Sequence, residues 1–260
     1  MNFDVKNYLE RFEKMVNELR QNENVVLLTY QILPPPKTVL LEKIIQEYPL
    51  LNADFKAFYE VCNGIQLRWI HKKNEAYNPS IHSYQDAPLQ ATYGMQDYQP
   101  EDGLVMIIPI ELFSYDWIDS VYFDEDFMHE NQTEFANKTY NTFEFAKSVK
   151  PFDIFSMYRQ MNIFTGNMQD FTHYPVLMGD DHQACLTDSR ITNFASYLEF
   201  ILYSKGLVNA RGTFYSKYNG SKFPPLQTPA SYFENMPCID LSLYQNTDGV
   251  QLPFTKSFWD

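Results

Sequence analysis

The sequence predicts an α+β protein: a mixed, mainly antiparallel sheet with helices packed on one side, in one domain spanning residues 1–260. Three observations carry that expectation. Residues 48–70 read as a capped helix that stops at a glycine and turns at once into a strand. Amphipathic stripes at 3–20 and from Thr192 or Asn193 to Leu202 read as helices. Residues 175–187 read as a hairpin.

Along the chain, Phe3, Val5, Tyr8, Leu9, Phe12, Met15, Val16 and Leu19 share one stripe with charged residues between them, the pattern of a helix docked on a core. Val25–Leu33 is a β-branched and apolar run. Pro34-Pro35-Pro36 must end it, because successive prolines lack donors and hold the chain extended. A helix follows over Thr38–Glu47. Asn52 then caps the next helix with its side-chain oxygen, and Asp54 suits the positive end of the helix dipole. Phe55, Phe58, Tyr59 and Cys62 give that helix an apolar face. Asn63-Gly64 follows where the chain must leave with positive φ, which glycine tolerates.

After Trp69 the pattern dissolves, and residues 71–102 read as a polar insertion between strands. Leu104–Leu112 and Ser120–Phe123 restart the sheet, with Phe113, Tyr115 and Trp117 forming an aromatic cluster beside an acidic run. A helix is expected near Thr142–Val149 and a strand over Phe152–Phe164. Pro175–Met178 and Gln183–Thr187 flank the four-residue connection Gly179-Asp180-Asp181-His182. Gly206 ends the closing helix, and 207–260 reads as an extension rich in proline, aromatics and asparagine.

The proline-marked start, short aromatic helix, Asn63-Gly64 and strand with Trp69 resemble the signature of the SUKH superfamily, which includes fungal cell-wall synthesis regulators and bacterial immunity proteins. Ile107-Ile108-Pro109-Ile110 resembles that family's Ile-Pro-Ile strand, and Ile191–Leu202 its closing helix. The resemblance covers roughly residues 35–205, and it implies a SUKH-like core with long insertions. Asn63, Gly64, Trp69 and Pro109 are then structural motif positions. For Trp69 and the Asn63-Gly64 corner, packing is the preferred role over a binding pocket.

A chain of 260 residues buries a sizeable core without staples, and no apolar run approaches the roughly 18 residues that span a bilayer. The N-terminus lacks a basic region followed by an apolar core, so a cytoplasmic location is expected. Cys62, Cys185 and Cys238 are odd in number and widely spaced, which fits reduced, buried thiols. The three Asn-x-Ser/Thr sequences at 131, 137 and 219 read as polar loops.

Net charge is −13, which repels phosphates and argues against nucleic acid or an anionic membrane as partner. Residues 101–153 hold twelve acids and three lysines, a net of −9. No Gly-x-Ser-x-Gly elbow, P-loop or dinucleotide-binding glycine pattern is present, so neither a nucleophilic enzyme nor a cofactor is expected. His173 with Asp180, Asp181 and His182 offers metal-ligand types without a metal-binding spacing, and turn chemistry is the preferred explanation.

In bacteria, members of the superfamily look like immunity proteins that bind a toxin domain and block its active site. That resemblance and the acidity together imply a non-enzymatic binding protein whose partner is a cognate basic toxin, such as a nuclease. The expected contact residues are Asp116, Trp117, Asp119, Tyr122, Asp124, Glu125 and Asp126, where aromatic anchors stand beside charge. Two alternatives remain: a regulatory scaffold like the fungal proteins, and a metal-dependent hydrolase using His173, Asp181 and His182.

Overall fold

The computed structural model describes residues 3–85, 102–117, 132–135, 138–156, 159–166, 174–180, 194–208 and 210. The described strands are β1 (Val25–Ile32), β2 (Ile65–His71), β3 (Gly103–Ile107), β4 (Gln132–Phe135), β5 (Lys138–Asn141), β6 (Val149–Ser156), β7 (Arg159–Phe164) and β8 (Val176–Asp180). The described helices are α1 (Val5–Gln21), α2 (Thr38–Glu47), α3 (Ala53–Val61), α4 (Thr142–Lys147) and α5 (Phe194–Ser204). Six strands form one sheet in the order β1-β2-β3-β6-β7-β8, and β4 pairs with β5 in a separate hairpin. Every described pairing is antiparallel, so the fold is α+β as the sequence predicts.

One face of the sheet presents Ile65, Leu67, Trp69, Val105, Ile107, Met161 and Ile163 to a layer built from α1, α3 and α5. The stripe foreseen on α1 is buried at Val5, Tyr8, Phe12, Met15, Val16 and Leu19. In α3, Asn52 caps as expected, its Oδ1 accepting the Asp54 N–H at 2.7 Å. Phe55 and Phe58 then meet Phe194 of α5 at ring distances of 5.0 and 5.4 Å, and Phe194 also meets Phe152 of β6 at 5.3 Å. Such edge-on aromatic pairs suit the ring quadrupole and add to the area they bury. A two-point ion pair from Arg11 to Glu199, both contacts 2.7 Å, ties α1 to α5 at the surface. At that exposure the pair contributes at most about 1 kcal/mol.

A second, smaller cluster surrounds Phe164, which alternates out of phase with Met161 and Ile163 and so lies on the other side of β7. Phe145 of α4 stacks on it at 4.6 Å, and Phe135 and Tyr140 of the β4–β5 hairpin close around it at 5.1 and 5.5 Å. The helix foreseen near Thr142–Val149 is therefore real but shorter, capped by Asn141.

Three expectations need correcting. The strand foreseen over Leu104–Leu112 ends at Ile107, because Pro109 has no N–H for a ladder and Asn63 Oδ1 takes the Ile110 N–H at 2.9 Å, starting a 3-10 turn over Ile110–Leu112. The Ile-Pro-Ile segment is thus a strand end and a turn. The single strand foreseen over Phe152–Phe164 is two, β6 and β7, paired as a hairpin from Val149↔Phe164 to Ser156↔Arg159. Gly179 and Asp180 belong to β8, paired with Gln160 and Arg159, rather than to a connection. The strand foreseen at Ser120–Phe123, the segment Gln183–Thr187 and all of 211–260 lie outside the described residues.

The sheet parts between β3 and β6, which pair only at Ile107↔Asp153. Asp153 fills the gap: it is fully buried, its Oδ1 accepts the Met106 N–H at 2.8 Å, and its Oδ2 accepts the Tyr197 hydroxyl. At the opposite end of β3 the chain leaving α5 takes up the free edge. Leu104 N–H donates to Gly206 O at 3.0 Å and Val208 N–H to Asp102 O at 2.9 Å. Trp69 locks the same strap, its indole N–H donating to Lys205 O at 2.8 Å.

Candidate protein-binding surface

The predicted contact residues that the structure describes are Asp116 and Trp117; Asp119, Tyr122, Asp124, Glu125 and Asp126 lie outside the described residues, as do His173, Asp181 and His182. The geometry of the site therefore begins at the segment that leads into the acidic run. It starts from the Asn63-Gly64 corner. Gly64 has φ +121°, and a Cβ there would stand 2.3 Å from Ile107 O, so both backbone conformation and space demand glycine. The Asn63 side chain works in both directions: its oxygen accepts the Ile110 N–H, and its amide donates to Glu111 at 2.8 Å.

From that turn the chain folds back on the core. Phe113 is fully buried between Tyr48 and Phe55, each ring 5.3 Å away. Trp117 is 5% exposed, with its indole N–H donating to Leu112 O at 3.0 Å. Its role in the described chain is packing. The predicted aromatic cluster thus divides: Phe113 and Trp117 fasten the segment inward, while Tyr115 stands 48% exposed and Asp116 is exposed beside it.

Beneath them lies Lys150 of β6, buried, donating from Nζ to Tyr115 O at 3.0 Å. Burial pushes its pKa down, and the carboxylates of Asp116 and Glu47 push back. Glu47 ends α2, where a negative charge opposes the helix dipole, and its attraction to the Lys150 cation offsets part of that cost. Tyr48, next in sequence, is held well above the ordinary phenol range by burial first and by Glu47 second. No family model, curated protein or solved structure matches the chain.

The corner thus presents Glu47, Tyr48, Tyr115 and Asp116 around one buried ammonium. Sequence reasoning missed Glu47, Tyr48 and Lys150; an acid in the last turn of α2 was the one readable signal. Acids counted into the central run also differ in kind. Asp102 and Asp153 are buried and serve the sheet, whereas Glu111, Asp116 and Glu144 are exposed. The arrangement suits recognition by charge and aromatic contact. Among the described residues no group of three or more His, Cys, Asp or Glu is placed to hold a metal ion. No described helix is long and apolar enough to cross a membrane.

Proposed function

We propose that this chain is a non-enzymatic binding protein of the immunity type, acting in the cytoplasm by covering the cationic substrate groove of a cognate basic toxin, such as a nuclease. The observation that carries the reading is the gathering of net −9 within residues 101–153 of a chain whose whole charge is −13. The acidic, aromatic corner at Glu47, Tyr48, Tyr115 and Asp116 supports it, because exposed carboxylates steer a basic partner and rigid aromatic rings give contact area at low entropic cost. The resemblance of the Asn63-Gly64, Trp69 and closing-helix segments to the SUKH signature supports it further. Fold alone does not decide function, so the test is kinetic.

The proposal requires a large polymorphic toxin in the adjacent reading frame, and that protein is the partner to measure; a neighbour of any other kind counts against the reading. Its association rate should fall steeply with salt as the Debye length drops below about 10 Å. Reversing Asp124, Glu125 and Asp126 to lysine lowers the association rate and leaves thermal stability nearly unchanged; reversing Asp116 and Glu47 lowers the rate too, with a loss of stability because both carboxylates offset the burial of the Lys150 cation. An affinity untouched by either set of reversals refutes the proposal.

A further inference from the structure

We infer that residues 33–37, together with Val39, form a preformed docking ridge for a module that reads polyproline II helices through an aromatic-lined groove with an acidic flank. Three consecutive prolines, Pro34-Pro35-Pro36, fix φ near −65° and leave three residues without donors, which is the conformation such grooves accept. Both ends of the run are pinned. At one end Leu33 N–H donates to Gly64 O and Asn63 N–H donates to Leu33 O, each at 3.0 Å. At the other, Lys37 has φ −61° and ψ 129°, and its carbonyl accepts the N–H groups of Leu40 and Leu41 at 2.9 and 3.3 Å. The segment is therefore ordered before any partner arrives, and ordering cost is what limits affinity for a flexible proline peptide.

Two further features are not explained by a connection between β1 and α2. Val39, in the first turn of α2, is 78% exposed, the highest value for a large apolar residue among those described. Lys37 occupies the N-cap of α2 and makes no side-chain cap bond, where Ser, Thr, Asn or Asp would satisfy a free N–H and a cation opposes the dipole. Helix stability does not account for Lys37 there, whereas a carboxylate on the partner beside the groove does. Pro34, Pro35, Lys37 and Val39 are all exposed on this one short stretch. Exposed proline rings, a flanking cation and an apolar neighbour are together the chemistry that these modules read.

The intact protein is titrated into isotope-labelled, isolated SH3, WW and EVH1 domains, and the groove aromatic resonances are followed by NMR. At least one class shifts, and its affinity falls at least about tenfold, or about 1.4 kcal/mol, for Pro34→Ala/Pro35→Ala. Val39→Asp and Lys37→Glu each weaken the same binding without lowering the melting temperature of the intact protein, so the outcome does not hang on the proline variant folding. Absence of shifts in all three classes overturns the inference. Binding that survives all three variants overturns it too.

Discussion

The carboxylate of Asp153 sits where the sheet parts, and its removal should cost more than any surface change in this protein. It is fully buried and accepts two buried donors, the Met106 N–H at 2.8 Å and the Tyr197 hydroxyl. Asp153→Ala leaves both donors unsatisfied. At about 1–3 kcal/mol for each stranded group, the loss is about 2–6 kcal/mol, before any cavity is counted. Domains of this kind hold only about 5–15 kcal/mol in total, so milder variants are needed beside it. Tyr197→Phe removes one hydrogen bond to a charged acceptor and should cost about 1.5–3 kcal/mol. Asp153→Asn keeps an oxygen for Met106 and can face its amide to the Tyr197 hydroxyl, which rotates to accept; about 1 kcal/mol is expected. Urea unfolding of each variant, with m checked for constancy, gives the values. A double-mutant cycle on Asp153→Asn and Tyr197→Phe should return a coupling of about 0.5 kcal/mol or more. If Tyr197→Phe and Asp153→Ala both fall within about 0.5 kcal/mol of the wild type, the carboxylate does not hold the parted strands and the reasoning fails.

The same core makes three smaller claims. Gly64→Ala combines a φ of +121° with a Cβ 2.3 Å from Ile107 O, and should destabilise by about 2–5 kcal/mol in the same unfolding assay, from strain and overpacking together. Asp102 has its pKa raised, chiefly by burial and against the hydrogen bonds from His71 N–H and Asn74. The folded state then binds its proton more tightly than the unfolded state, so this carboxyl makes stability increase as pH falls through its raised folded pKa, the gain being complete below the ordinary carboxylate value. Asp102→Asn should remove that component of the pH profile, and an unchanged profile would show that burial is not the governing influence. Cys62 is buried and its thiol is pushed up to about 12, so peptide-resolved alkylation at pH 8 should follow opening of the fold; labelling at the rate of a free thiol would contradict the buried position.

What the sequence made legible is what local chemistry decides. Asn52 caps α3 and Gly64 takes positive φ, as does Gly206 at φ +69° beyond α5, because in each case one residue type relieves a backbone demand at its own position. The stripe of α1 was readable for the same reason, since period alone separates its buried from its solvated side. Tertiary decisions were hidden. Pro109 is a local sign that the β3 ladder stops, but nothing nearby in the chain says that the Ile110 N–H is taken by Asn63 from a distance as a 3-10 turn begins. The β4–β5 hairpin has four residues in each strand, too few for a period, and its place is set by Phe164 in a strand that follows it. At the candidate surface, exposure of Tyr115 against burial of Trp117 depends on the fold-back onto Tyr48 and Lys150, which no spacing encodes.

One corner also connects the two proposed surfaces. The backbone of Asn63-Gly64 holds Leu33, where the proline ridge begins, while the Asn63 side chain holds Ile110 and Glu111, where the chain starts toward Tyr115 and Asp116. Both exposed segments therefore leave from a point fixed by short hydrogen bonds and by a glycine that cannot be replaced without strain. A ligand on either segment gains from that rigidity, since the cost of ordering its docking site has already been met by folding. Coupling between the surfaces does not follow from the shared corner alone. It would require the corner to have two arrangements that the ligands distinguish, and a site this closely packed around Ile107 O and Tyr59, whose hydroxyl donates to Ile108 O at 2.9 Å, favours one. The physical expectation is two independent surfaces on one rigid base, each sensitive to Asn63 and Gly64 and neither sensitive to the other.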